Sequence, residues 1–194
     1  MSIIIICAYV GYKITDDVSL YANEVLQFDE VESAAVGNGA IWLRPLFALI
    51  AGWVAHRLSG PRILMWCFAL MALGGLLIFS GLFPSYLILT GLIFVTMLAG
   101  IYGIRAIYFA VMKEAAIPLL ATGSAVGIVS VFGYTPDIFM SPFMGYLLDN
   151  FEGNRGHELV FLTLAIFALI GFRVSYLFKR DAKAQIEDYL GSNA

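Results

Sequence analysis

Residues 63 to 104 read ILMWCFALMALGGLLIFSGLFPSYLILTGLIFVTMLAGIYGI, 42 consecutive positions without an Asp, Glu, Lys or Arg. The hydrocarbon core of a bilayer, roughly 30 Å thick, takes about 20 apolar residues per crossing helix. This stretch therefore holds two crossings, divided where Phe83, Pro84 and Ser85 supply turn chemistry. The rest of the chain follows suit. Of its 194 residues 61% are hydrophobic and 13% charged, against about a quarter charged in soluble domains, and the mean hydropathy is +0.88. Such a chain is an integral membrane protein. The net charge of −3 says little here and its distribution says more; no nucleic-acid partner is expected.

Working outward, apolar spans are expected at 2–25, 34–56, 62–82, 85–112, 119–148 and 158–179, forming one six-helix membrane domain over 1–179. Residues 180–194 are expected as a short cytoplasmic tail. The amino terminus has no basic start and no small-residue cleavage site, so it is read as a first span rather than a signal peptide. Arg57, Arg62, Lys113, Lys179, Arg180 and Lys183 fall on one side of this topology. The opposite loops hold Arg155 among Glu24, Asp29, Glu30, Glu32, Asp149, Glu152 and Glu158. Because cytoplasmic loops collect Lys and Arg, both termini are expected in the cytoplasm, with the chain in a plasma (inner) membrane.

An ionisable group at the bilayer centre costs about 2.5–3.5 kcal/mol on insertion scales, so each one marks a pair or a cavity. In span one, Tyr9, Lys13 and Asp16 share a helix face. Lys13 lies three residues from Asp16 and four from Asp17, close enough for local neutralisation; a packing ion pair and a cavity-lining site are both open. In span four, Tyr102, Arg105, Phe109 and Lys113 share a second face. A guanidinium among rings suits a carboxylate or phosphate, although Arg105 near the span end can also snorkel to the interface. In span five, Gly123, Gly127, Ser130, Tyr134, Asp137 and Ser141 share a third face. The small residues admit another helix backbone, and Ser130, Tyr134 and Asp137 are candidates for lining a wet cleft. Asp137 reads either as a proton-coupling carboxylate or as the structural partner of Arg44, which lies mid-span beside Pro45.

Cys7 and Cys67 stand in apolar runs without a C-x-x-C or a nearby His, so neither a metal site nor a disulfide framework is indicated. No cofactor motif is present. The two histidines, His56 and His157, read as loop residues on opposite sides, and no G-x-S-G accompanies them. An intramembrane protease is therefore not expected, and the chain reads as a non-enzyme.

Three short patterns carry a family resemblance. Gly52, His56, Arg57, Gly60 and Arg62 resemble the G-x-x-x-D-[RK]-x-G-[RK]-[RK] gating loop of the major facilitator superfamily, with His56 in place of the aspartate and one extra residue before the glycine. Glu114, Pro118 and Gly123 resemble the approach to that family's corresponding helix, and Pro142, Gly145 and Asp149 resemble its exit. The resemblance implies an all-α fold of six transmembrane helices, the carboxy-terminal half of a twelve-helix carrier, with an amino-terminal six-helix half as its missing partner. It implies secondary active transport of a small solute by alternating access. The solute is an organic anion on the reading of the basic stripes, with proton coupling through Asp16 or Asp137. A six-helix channel or structural membrane subunit is the alternative.

Overall fold

A computed structural model of the protein describes residues 2–55, 57–114 and 122–191. Among them the chain forms seven helices: α1 (Ser2–Ile14), α2 (Asp17–Glu24), α3 (Glu30–Ala55), α4 (Gly60–Phe79), α5 (Leu87–Glu114), α6 (Thr122–Asn150) and α7 (Arg155–Gly191). The expectation of six transmembrane helices, half of a twelve-helix fold, needs correction. Among the described residues, four helices are long and apolar enough to cross a bilayer: α3, α4, Leu87–Ile107 of α5 and Arg155–Arg180 of α7.

Two physical causes account for the difference. The apolar run at the start is not one helix. Thr15 turns its hydroxyl back onto the Tyr12 carbonyl at 2.6 Å, and the amides of Thr15 and Asp16 reach carbonyls three residues back rather than four. Threonine and aspartate both compete with the helix ladder in this way, and the tightened turn ends α1 after 13 residues. Asp16 and Asp17 then open α2, where a negative charge suits the helix amino terminus. Neither α1 nor the eight-residue α2 approaches the roughly 20 residues a crossing needs. Helix α6 has the length, 29 residues, but Ser130, Tyr134, Thr135, Asp137 and Ser141 dilute its apolar character.

The two helices cut from the charge-free stretch form the frame. Helix α4 packs most extensively against α7 and α5, while α1 is wedged against α5, α6 and α7. Phe68, Met71, Met97, Ile101, Phe161 and Leu164 are fully buried between these elements. Small residues set the spacing. A Cβ on Gly100 would strike the Cys67 carbonyl oxygen of α4, and one on Gly75 would lie 2.9 Å from the Phe161 carbonyl oxygen of α7. Helices that associate in lipid gain from such backbone proximity. By contrast only about a tenth of the apolar window of α3 is buried, and α3 and α6 turn Trp42, Leu49, Trp53, Val131 and Ile138 outward. Helix α7 continues through the expected tail to Gly191.

A methyl group at residue 100 has nowhere to go, whereas Gly91 has no neighbouring atom within 4 Å of a Cβ. Gly100→Ala is expected to destabilise the protein in lipid by about 1–3 kcal/mol through overpacking. Gly91→Ala is expected to be neutral or to stabilise by up to about 1 kcal/mol through helix propensity. Unfolding of the two variants in detergent micelles checks the ordering.

Candidate functional site

The break between α1 and α2 opens a cavity of about 430 Å³ bounded by α1, α2, α3 and α5, with Tyr12, Asp16, Ser19, Asn38, Arg44 and Tyr102 in its wall. Beside it two arginines meet one tyrosine. The Arg105 guanidinium from α5 lies over the Tyr12 ring at 3.8 Å from its centroid and over the Tyr9 ring at 4.8 Å. Arg44 from α3 approaches the same Tyr12 ring at 5.1 Å and donates from Nη1 to its hydroxyl at 3.2 Å. Each contact of this kind contributes about 0.5–2 kcal/mol, more as water is excluded.

The charge balance around this cluster is uneven. Lys13 is neutralised by Asp16, whose Oδ2 lies 2.7 Å from its Nζ, and Asp137 acts electrostatically on Lys13 as well. Among the described residues neither arginine has a carboxylate within 4.0 Å. Asp137 is therefore not the partner of Arg44 in this structure. The Arg105 Nη1 is buried with no hydrogen-bond partner. Ring stacking offsets part of the cost of two partly buried cations, but it satisfies no N–H directed away from the ring. The arrangement can accept a carboxylate or phosphate, since a guanidinium presents paired donors to such groups.

The sequence-derived candidates fall into distinct places. Tyr9, Lys13, Asp16, Tyr102 and Arg105 gather at the α1–α5 contact and the cavity, with Tyr9 meeting Tyr12 edge-on at 5.7 Å. Tyr134 is exposed but its ring meets Tyr9 at 5.1 Å, which places the α6 face next to the cluster. Ser130 instead donates to the Val126 carbonyl of its own helix at 2.8 Å, and Asp137 is exposed. Of the loop candidates, Gly52 and Arg62 are exposed and Gly60 is buried, while Arg57 stacks over the Trp53 ring at 5.0 Å. His56 and Pro118 lie outside the described residues, as do the side chains of Phe109 and Lys113. Sequence reasoning missed Tyr12. Its signal was present, three residues from Tyr9 and so on a neighbouring face, but the arginines that use it stand 32 and 93 positions away.

No protein-family model matches the chain, and no solved structure matches it. Two curated relatives are similar to part of it. Inner membrane protein YihN of Escherichia coli (strain K12) is 34% identical over 90 residues, 46% of this chain and 21% of the relative. Inner membrane protein YqcE of the same organism is 33% identical over 87 residues, 45% of this chain and 20% of the relative. The matched segment thus spans about one fifth of each relative's length.

Tyr12→Leu removes the ring from both arginines and is expected to lower stability by about 1–3 kcal/mol. Tyr12→Phe keeps the ring and loses only the bond from Arg44, for an expected cost of about 0.5–1.5 kcal/mol. Equilibrium unfolding of both variants reads the difference, and a Phe variant as damaging as Leu would contradict the stacking role.

Proposed function

We propose that this membrane protein belongs to a solute carrier of an inner membrane, similar to the major facilitator superfamily, and that it handles a small organic anion by alternating access. The observation that carries this reading is a pair of arginines, Arg44 in the cavity wall and Arg105 beside it, held by Tyr12 and by no carboxylate among the described residues. A protein that only needed these charges buried would be expected to neutralise them, as Lys13 is neutralised by Asp16. Leaving them open keeps donors available to a ligand that brings its own negative charge. The two relatives, both inner membrane proteins, support the location. The three loop patterns support the carrier family.

In a carrier, a solute site assembled at a broken helix is accessible to water first from one face and then from the other. The break at Thr15 and Asp16 supplies such a point beside the arginines. The full chain in lipid nanodiscs is expected to show raised thermal stability in millimolar mono- and dicarboxylates and no shift with neutral sugars of equal size. Arg44→Gln and Arg105→Gln are each expected to weaken the anion-dependent shift about tenfold in concentration, equivalent to about 1.4 kcal/mol. Equal shifts for anionic and neutral solutes, or no loss in either variant, would favour a purely structural membrane subunit.

A further inference from the structure

Along the flank of α2, His157 stands in the first turn of α7 with its ring almost wholly buried, 1% exposed. It is not the loop residue that the sequence pattern suggests. Its Nδ1 lies 3.0 Å from Asp17 Oδ2 and its Nε2 lies 2.8 Å from Glu24 Oε2. The Asp17 side chain is fully buried and that of Glu24 is 52% exposed. The Tyr21 ring meets His157 edge-on at 5.6 Å and packs in turn on Phe94 and Phe161, closing the apolar side. The charges acting on the imidazole are those of Asp17 and Glu24. Glu158, on the same helix turn, is held by Arg155 at 2.6 Å and also acts on Tyr21.

Proton counting makes this trio more than a latch. An ionised carboxylate only accepts, so the two nitrogen-to-oxygen contacts require one proton each. Either both ring nitrogens carry a proton, or the ring is neutral and one carboxyl group supplies the second. A further proton has a place to go, because Asp17 Oδ1 is buried with no hydrogen-bond partner. One end of the chain of groups touches water and the other does not.

We propose that Glu24, His157 and Asp17 form a proton-transfer path from the aqueous rim to the buried start of α2, with Asp17 as its storage end. Glu24 takes a proton from water and delivers it to Nε2, and the Nδ1 proton then passes to Asp17 Oδ2. One proton enters and one moves on. The ring changes from its Nδ1–H to its Nε2–H tautomer, and the reverse sequence discharges Asp17 to water. Loading removes the negative charge at the amino terminus of α2, one residue from Asp16 in the cavity wall. The path stands on its own geometry and does not require the cavity to bind an anion.

The chain has two histidines, so His56→Gln leaves His157 as the single ring to observe. The test is nitrogen-15 histidine NMR on that full chain in lipid nanodiscs, read as the exchange of the ring protons with water. Glu24→Gln keeps an acceptor for Nε2–H but cannot relay a proton. It is expected to slow that exchange at least tenfold, and the half-exposed position of Glu24 should leave the fold intact. The unsubstituted path is read in the same experiment, with ring signals that change protonation between about pH 5 and about pH 8, the range in which histidine titrates. Exchange equally fast in Glu24→Gln, or a ring fixed in one neutral tautomer across that range, would overturn the proposal. No solute is present in the experiment, so its outcome is separate from that of the anion reading.

Discussion

A partly buried guanidinium without a carboxylate partner has to be held by something else, and among the described residues of this protein the ring of Tyr12 holds two of them. That contact ties α3 and α5 to α1. Its geometry depends on α1 sitting among α5, α6 and α7, and that position depends in turn on the tight α4–α5 and α4–α7 packing across Gly100 and Gly75. The apolar frame is thus the support for a polar centre. Lipid would not stabilise that centre, because isolated charges are expensive at membrane depth.

The break after Ile14 is the second element of the design. A continuous helix would carry its ladder through Thr15 and leave no cavity. The Thr15 hydroxyl and the two aspartates divert the backbone instead, and α2 starts afresh with its dipole facing Asp16 and Asp17. One short helix then links two polar sites, the arginine cluster beside its start and the His157 trio along its flank. Helix α3 contributes little to the buried frame and offers an apolar flank to its surroundings, as membrane helices do.

Much of the scaffold was legible from residue order, because apolar length is a local property. The charge-free run from Ile63 to Ile104 resolves into α4 and most of α5, with the turn at Pro84 where the composition places it. The count of crossings was not legible. Apolar residues continue past Thr15, so periodicity cannot register a turn made by one side-chain hydrogen bond, and a span drawn over 119–148 hides how polar α6 is. The candidate site divides along the same line. Lys13 and Asp16 form a pair three residues apart and could be read directly. The need of Arg44 for a partner was equally plain, but the partner itself was not. Tyr12 and the carboxylates of His157 are brought in by tertiary packing across tens to more than a hundred positions, and no local pattern encodes that.

The central claim is that the space beside Tyr12 is wet and positively charged. The two native cysteines are buried and can be exchanged for alanine, after which Ser19→Cys and Asn38→Cys place a thiol in the cavity wall. The measurement is the rate at which a negatively charged, membrane-impermeant thiol reagent modifies these positions relative to a positively charged reagent of similar size. The account predicts faster reaction with the anionic reagent, by about tenfold or more given a nearby pair of uncompensated cations, and slowing by added carboxylate. Equal rates for the two reagents, or no reaction with either, would contradict it.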